Sequence, residues 1–200
     1  MKEYRLKNAL IKAGFKAFSV EDYKKVSTND IVNAANVSKG LLFHYFKNKE
    51  NFYVTLYELS WGVIYREVFT DFPFENRDLF DRLKELIIRK TESLQRHKTL
   101  AAFMKRVHLN NDPNISKRRV KIYHAFNQKH YRRVFENYDN TCLQHPEYFD
   151  ELFKTVTWTF SRIVNEWEKN YQAHDNDEAL KILESEIHHY VEFFKLHFYK

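Results

Sequence analysis

The chain has 200 residues, of which 44% are hydrophobic and 30% are charged, and its net charge is +6. This length and composition predict a globular protein that forms one large domain or a small and a larger one. No run of residues is long or apolar enough to cross a bilayer, so we expect no membrane partner. Glycine and proline, three of each, are scarce, which favours helices joined by polar loops over strands and tight turns.

The N-terminus and the cysteine content indicate the cellular compartment. The first residues, Met1 to Lys7, are charged and lack the apolar core of a signal peptide. Cys142 is the single cysteine, which excludes an internal disulfide and favours a reducing compartment. We therefore expect a cytoplasmic protein.

The positive charge is concentrated in two segments. Residues 1–52 carry a net charge of +5 and residues 96–133 carry +10, whereas residues 134–200 carry −7. A basic N-terminal quarter suits a polyanionic partner. The second basic segment either neutralises the acidic C-terminal third in the folded chain or binds an anion.

Hydrophobic periodicity predicts an all-α fold with about nine helices and no strand. The segments 71–76 and 110–114 interrupt the periodicity, and each contains a proline, which disfavours a helical residue before it. In chain order the predicted helices cover about residues 3–19, two short helices within 27–46, then 49–70, 78–95, 99–109, 115–137, 146–172 and a last helix that starts in the acidic segment 175–178.

Residues 27–46 predict two short helices joined by a tight turn. Ser27 and Ser38 each stand at the start of a helix, where a serine hydroxyl caps free backbone N–H groups. Asn36 tolerates the left-handed conformation that ends a helix. Two helices with so short a connection must cross, which is the geometry of a helix-turn-helix. In that motif the second helix enters the major groove of DNA, and its N-terminal residues meet base edges.

Four short motifs and one tyrosine follow each other at a fixed spacing: AGFKAF at 13–18, Tyr23, STNDI at 27–31, AANVSKG at 34–40 and FKNKE at 46–50. Together they resemble the N-terminal domain of the TetR (tetracycline-repressor) family. The resemblance implies a helix-turn-helix DNA-binding domain over residues 1–48 and a helical ligand-binding and dimerisation domain over residues 49–200. It also implies a homodimer that binds a palindromic DNA operator, and a repressor that a small-molecule effector releases from DNA.

The expected DNA contacts lie on the two short helices and at the start of the long helix that follows. Thr28 and Ser38 either cap their helices or donate to a phosphate, and Lys39 can reach a guanine or a phosphate. Gly40 costs about 1 kcal/mol relative to alanine in a helix, and close approach to DNA would be a reason to keep it. The full set of expected contacts is Thr28, Ser38, Lys39, Gly40, Leu41, Phe43, His44, Tyr45 and Lys49.

Two positions of the second short helix depart from the family pattern. Leu41 stands where a threonine is common, which replaces a hydroxyl contact by an apolar contact with a thymine methyl group. Phe43 stands where a tyrosine is common, and it cannot donate to a phosphate. The matching family positions of His44 and Tyr45 often contact DNA, and the hydroxyl of Tyr45 can donate to a phosphate. These departures leave the operator sequence open.

Aromatic residues make up 17% of the chain, and we expect some of them to line a cavity for a small, largely apolar effector. The candidate lining residues are Tyr57, Trp61, Phe103, Tyr123, Phe126, Trp158 and Phe160. The basic run at 117–121 is either a solvated helix face or a site for an anion such as an acyl-CoA or a DNA phosphate. The resemblance implies that the last two helices pair with those of a second copy, through the candidate interface residues Phe153, Phe160, Trp167, Ile187, Val191 and Phe194.

We expect no metal, no cofactor and no catalytic site. Glu184 and His188 share a helix face, but no Cys-rich or His-x-x-x-His pattern accompanies them. Cys142 and His145 lie close in the sequence without an evident orienting acid. Two alternatives to a ligand-responsive regulator stay open. One is a DNA-bound architectural or division-control factor without a ligand, and the other is a helical carrier or interaction protein on the same scaffold.

Overall fold

The computed structural model describes residues 2–171 and 177–200, and within these ranges the regular structure is helical, as predicted. The helices are α1 (Lys2–Val20), α2 (Thr28–Ala34), α3 (Lys39–Phe46), α4 (Lys49–Phe69), α5 (Leu79–Arg96), α6 (Lys98–Leu109), α7 (Pro113–Phe135), α8 (Phe149–Tyr171) and α9 (Asp177–Phe198). Two short 3-10 helices, Asn140–Cys142 and Pro146–Tyr148, precede α8. None of the helices in these ranges has the length and apolar character needed to cross a membrane.

The chain divides into two compact units. The first unit contains the residues up to Glu67 together with Ser93–His130, and the second contains Val68–Glu92 together with Tyr131–Lys200. The first unit therefore holds α1, α2, α3 and α6 with most of α4 and α7. The second unit holds α8 and α9 with most of α5.

In the first unit α1 packs against α2, α3 and α6. Leu10 and Phe18 of α1, Leu42 of α3 and Phe52 of α4 are all fully buried in its core. The close approach of α1 to α4 occurs at Gly14, where a Cβ would lie only 2.5 Å from the Cζ atom of Phe52. A glycine is needed here because any side chain would overlap the aromatic ring.

Helix α6 joins this scaffold through Phe103. The ring of Phe103 lies 5.4 Å from that of Phe15 and 5.2 Å from that of Tyr53, in both cases edge to face. It also lies 6.3 Å from the ring of Phe18. Aromatic pairs at such distances add packing energy beyond their buried area, so α6 forms part of the same core as α1 and α4.

The second unit is built around the pairing of α8 with α9. The buried stripe of its core consists of Leu152, Val156, Phe160, Ile163 and Trp167 on α8 and Leu183, Ile187, Val191 and Phe194 on α9. The indole N–H of Trp167 also donates to the backbone oxygen of Ala179 at 2.6 Å. The residues of each stripe recur every three or four positions, which is the helical pattern that the sequence showed.

A buried arginine connects three segments of the second unit. Arg82 of α5 is only 1% exposed, and its guanidinium donates to the backbone oxygens of Phe74, Asn76, Val134 and Glu136. Two of these carbonyls belong to the end of α7, where a helix leaves its last carbonyls without intrahelical partners. Arg82 therefore caps α7 and fixes the loop that precedes α5.

Several helix boundaries differ from the prediction by one to three residues. The chain turns after α4 at Asp71, with a φ of 52°, ahead of Pro73. Helix α7 starts at Pro113 rather than at residue 115, because the carboxylate of Asp112 accepts from the backbone N–H groups of the first turn. Pro146 begins a 3-10 helix, and α8 starts at Phe149. Residues 172 and 175–176, the predicted end of the eighth helix and acidic start of the ninth, lie outside the described residues.

Candidate nucleic-acid interface

Helices α2 and α3 form the predicted helix-turn-helix. The Ser27 hydroxyl accepts from the backbone N–H of Asn29 at 3.1 Å, and the Ser38 hydroxyl accepts from that of Leu41 at 3.3 Å. Both serines therefore cap their helices as predicted. Asn36 adopts a φ of 52° in the turn between them, which is the left-handed conformation expected there.

Helix α3 has one face in the core and one in solvent. Leu42 is fully buried and Phe46 is 4% exposed, so these two residues hold α3 in place. Lys39, Gly40 and His44 are exposed. The backbone at Gly40 is helical, and a Cβ there would meet no described atom within 4 Å. The fold of the chain therefore does not require a glycine at position 40.

The other candidate residues of α3 are Leu41, Phe43 and Tyr45. Leu41 is half-buried, and Phe43 is 37% exposed, with the Lys39 ammonium 6.0 Å from the centre of its ring. The Tyr45 hydroxyl, which we expected to donate to a phosphate, donates instead to the backbone oxygen of Glu3 at 3.4 Å. Tyr45 thus connects α3 to the start of α1.

Lys49 is the first residue of α4, and its ammonium lies 4.5 Å from the centre of the Tyr23 ring. Partial burial lowers the pKa of this ammonium. The cation–π contact holds the positive charge at the N-terminal end of α4, where the helix dipole also attracts anions. Thr28 is half-buried at the corresponding N-terminus of α2.

Arg106 of α6 caps the end of α1. Its guanidinium donates to the backbone oxygens of Ser19 at 3.0 Å and Val20 at 2.6 Å, and to the carboxylate of Asp22 at 2.8 Å. The last carbonyls of a helix lack intrahelical partners, so a charged donor there is favourable. Arg106 therefore binds the scaffold of the helix-turn-helix to α6.

Arg118 of α7 contacts the first turn of α4. It donates to the carboxylate of Glu50 at 2.8 Å and to the amide oxygen of Asn51 at 2.7 Å. One of the two interpretations of the basic segment 96–133 pairs it with the acidic C-terminal third, whereas the acids that pair with Arg106 and Arg118 belong to the first quarter of the chain. Sequence reasoning missed both arginines as structural partners of the helix-turn-helix because no local pattern indicates contacts between such distant residues.

Four of the candidate effector residues come together in the first unit. The ring of Trp61 lies 5.6 Å from that of Tyr123, and Phe126 stacks on Tyr65 at 5.7 Å. The hydroxyl of Tyr57 is 3.2 Å from the Nε2 atom of His108 on α6. Burial raises the pKa of Tyr57 to about 12, so this phenol is neutral near pH 7. These contacts join α4 to α6 and α7 through aromatic side chains.

The other candidate effector residues lie elsewhere. Phe103 belongs to the α1–α4–α6 core described above. Phe160 is buried in the core of the second unit, and Trp158, on the same helix, is 73% exposed. These three residues are therefore not brought together with Tyr57 and Trp61 in one described cluster.

Most candidate dimer residues are used within the chain itself. Phe160, Trp167, Ile187, Val191 and Phe194 are at most 6% exposed and pack in the core of the second unit, and Phe153 is half-buried against that core. The exposed apolar side chains of α8 and α9 are Trp158, Ile182, Phe193 and Leu196. These four side chains are accessible to a second copy, whereas the five buried candidates have almost no accessible surface.

The histidines of α9 do not form a metal site in the part of the chain that the structure describes. There, no group of three or more His, Cys, Asp or Glu side chains is arranged to hold a metal ion. His188 and His189 are both exposed.

Residues 10–56 match the family model for bacterial regulatory proteins of the tetR family. The match begins within α1 and includes both helices of the helix-turn-helix and the first turns of α4. The N-terminal part of the chain is therefore similar to the DNA-binding domain of TetR-family regulators. The resemblance found in the sequence, and the fold class that it implied, are thereby confirmed.

A relative among curated proteins is the transcriptional regulator AcuR of Cereibacter sphaeroides. The two chains are 32% identical over 95 residues, which cover 44% of this chain and 41% of AcuR. The match therefore spans less than half the length of that relative.

Solved structures of TetR-family and other regulators share the fold along most of the chain. The fatty acid degradation regulator FadR from Bacillus halodurans has a TM-score of 0.69 at 17% identity, over 90% of this chain and 97% of that one. A TetR-family transcriptional regulator from a Rhodococcus species has a TM-score of 0.64 at 15% identity, over 94% of this chain and 97% of that one. At these identities the similarity concerns the fold.

Proposed function

We propose that this TetR-family protein is a cytoplasmic transcriptional repressor that binds a palindromic operator as a homodimer. Residues 1–48 bind DNA, and residues 49–200 bind an effector and the second copy. The observation that carries the proposal is the solvent face of α3, on which Lys39, Gly40 and His44 are exposed while Leu42 fixes the helix from behind.

Helices α2, α3 and α4 make different contacts with DNA. The N-terminal turn of α3 enters the major groove, where Lys39 reaches a guanine and Leu41 meets a thymine methyl group. The N-termini of α2 and α4 face the phosphates, with the Thr28 hydroxyl at one and the Lys49 ammonium at the other. Two copies of α3 then occupy half-sites about 34–36 Å apart, or a multiple of this distance.

The effector is a small, largely apolar molecule, of the acyl-CoA type or similar. Two observations support this class of ligand: the aromatic residues that join α4 to α6 and α7, and the shared fold with a regulator whose name refers to fatty acid degradation. Trp61 and Lys49 lie on the same helix, about 18 Å apart along its axis. An effector that displaces the aromatic part of α4 therefore also moves Lys49, which releases the operator.

The dimer forms through exposed residues of α8 and α9. Trp158 and Leu196 are 73% and 77% exposed, which is unusual for such large apolar side chains unless another molecule covers them. A second copy of the chain is the occupant that the palindromic operator requires, since two recognition helices must be held at a fixed distance.

The proposal is tested by DNA binding of the purified protein, with the operator obtained by selection from a random-sequence library. Lys49→Ala should weaken binding to every sequence and reduce the slope of log K against log salt by about 0.9 for each phosphate that the variant no longer neutralises. Lys39→Ala should also reduce the preference for the selected operator over random DNA. The control is Lys154→Ala, which removes the same charge from an exposed residue of α8 and should bind DNA as wild type does. Failure of the wild-type protein to bind DNA at low salt would refute the proposed function.

A further inference from the structure

Helix α7 has an unusual charge composition. Its 23 residues include Lys117, Arg118, Arg119, Lys121, Lys129, Arg132 and Arg133, and no aspartate or glutamate. A solvated helix usually mixes charges of both signs, because opposite charges one turn apart stabilise it and like charges destabilise it. A helix with cations alone is favourable where an anion lies nearby.

The contacts of Arg118 place the first turns of α7 beside the DNA-binding elements. Its guanidinium binds the side chains of Glu50 and Asn51 in the first turn of α4, which also carries Lys49. All of these residues belong to the first unit, so their arrangement is that of one compact body. The ion pair with Arg118 also neutralises Glu50, which is the acidic residue in the first turn of α4.

An exposed basic stripe continues from this contact. Lys117, Lys121 and His124 recur at the spacing of one helix face and are all exposed. We define these three residues as the α7 stripe. Val120, between them in the sequence, is 45% exposed, so this side of α7 is open to solvent within the chain.

We propose that the N-terminal half of α7, as far as His124, belongs to the DNA-binding surface, outside the helix-turn-helix. In this arrangement Arg118 masks the negative charge of Glu50 beside Lys49, and the α7 stripe attracts phosphates that flank the operator. The inference rests on the proposed DNA-binding function. It extends that function from the motif over residues 27–46 to a helix that lies more than sixty residues later in the sequence.

Duplex DNA is the partner that the observations favour. An anionic effector of the acyl-CoA type would also be attracted to lysines, but the Arg118 contacts connect this part of α7 to the N-terminus of α4, where a phosphate contact is proposed. A row of phosphates also matches a row of cations on an exposed helix face better than a single compact anion does.

The first experiment measures the salt dependence of binding to random-sequence duplexes, which needs no knowledge of the operator. The double variant Lys117→Gln with Lys121→Gln should reduce the slope of log K against log salt by about 0.9 for each phosphate that the two lysines neutralise in wild type. It should also abolish the gain in affinity that wild type shows when a short duplex is lengthened at both ends. The matched control is Lys154→Gln with Lys181→Gln, which removes two exposed lysines of the second unit and should change neither quantity.

The second experiment separates charge masking from simple structural support. Arg118→Gln leaves Glu50 unpaired and should weaken DNA binding by about twofold to fivefold, as expected for one exposed charge near several phosphates. Addition of Glu50→Gln should restore the affinity, because the repelling charge is then gone. If Arg118 only supports the fold, the second substitution cannot restore binding, and that outcome contradicts the masking role.

The outcomes distinguish this proposal from the proposed function. If Lys49→Ala changes the salt slope and the double variant of the stripe does not, the α7 surface is refuted while DNA binding by the helix-turn-helix stands. If the stripe variant keeps the salt slope of wild type but loses binding of decanoyl-CoA that wild type shows, the two lysines belong to an effector site. This outcome also refutes the α7 surface. If the wild-type protein itself does not bind duplex DNA at low salt, the proposed function fails as well. Circular dichroism of each variant checks that the helical fold is retained.

Discussion

Gly40 gives the sharpest test of the proposed contact between α3 and DNA. Glycine in a helix costs about 0.5–1 kcal/mol relative to alanine, and a Cβ at position 40 would meet no described atom within 4 Å. Gly40→Ala should therefore raise the free energy of unfolding by about 0.5–1 kcal/mol. If the backbone of α3 approaches DNA closely at this position, the added methyl group should cost about 1–3 kcal/mol of binding, as overpacking does in a protein core. This corresponds to about 5-fold to 150-fold weaker operator binding.

Two other glycines of the first unit provide matched controls. Gly62 in α4 also has no described atom within 4 Å of a Cβ, so Gly62→Ala should stabilise the protein by a similar amount and leave operator binding unchanged. At Gly14 a Cβ would lie 2.5 Å from Phe52 and 2.8 Å from Leu56, so Gly14→Ala should lower the free energy of unfolding by about 1–3 kcal/mol.

Urea denaturation and fluorescence anisotropy with a labelled operator measure the two quantities separately. If Gly40→Ala binds DNA as Gly62→Ala does, close approach of α3 to DNA at this position is refuted, because the glycine then has no role at the interface. If Gly40→Ala destabilises the free protein, the expected gain in stability is refuted, because the space around position 40 is then filled.

Two further predictions concern an ion cluster and the dimer. Hydrogen bonds to Glu67, first from His97 and then from Ser93 and Arg96, lower the pKa of Glu67 from 4.5 to about 2, so its stabilising effect is present above pH 4.5 and is lost as the pH falls towards 2. Since the Glu67 side chain is 33% exposed, solvent screens this interaction, and we expect it to stabilise the fold by about 1 kcal/mol. The measurement is the difference in unfolding free energy between wild type and Glu67→Gln as a function of pH. A difference that does not depend on pH would contradict this prediction. For the dimer, we expect Leu196→Ser to lower the fraction of dimer relative to wild type in sedimentation velocity. Tyr4→Ser, a matched change at a 72% exposed residue of α1, should leave this fraction unchanged. Monomeric wild-type protein, or an equal effect of both substitutions, would argue against the α8–α9 interface.

Local sequence determined the helix-turn-helix in some detail. Ser27, Asn36 and Ser38 act on backbone groups only a few residues away, so their effects can be predicted from neighbouring positions alone. The burial of Leu42 and Phe46 follows from the period of a helix in the same way. The all-α fold was predictable for the same reason, since hydrophobic periodicity and scarce glycine and proline are local properties.

Side-chain choices at the surface of α3 were less predictable. Tyr45 has the residue type of a phosphate donor, yet its hydroxyl binds the backbone of Glu3 at the start of α1. The sequence shows which groups can form hydrogen bonds, but the choice among partners depends on the distances that packing creates. The position of the Lys49 ammonium was unpredictable for the same reason. It lies over the ring of Tyr23, a residue of the loop after α1, and this contact depends on how that loop packs against α4.

The sequence by itself determined the helices, their caps and the family of the N-terminal domain, because each of these depends on residues that are close along the chain. Only the tertiary structure decided which aromatic residues are core and which are exposed, as with Phe160 and Trp158 on the same helix. It alone also decided that Arg106 and Arg118 bind the helix-turn-helix scaffold. Such contacts join residues that are far apart in sequence, and their formation depends on how the helices pack rather than on any local pattern.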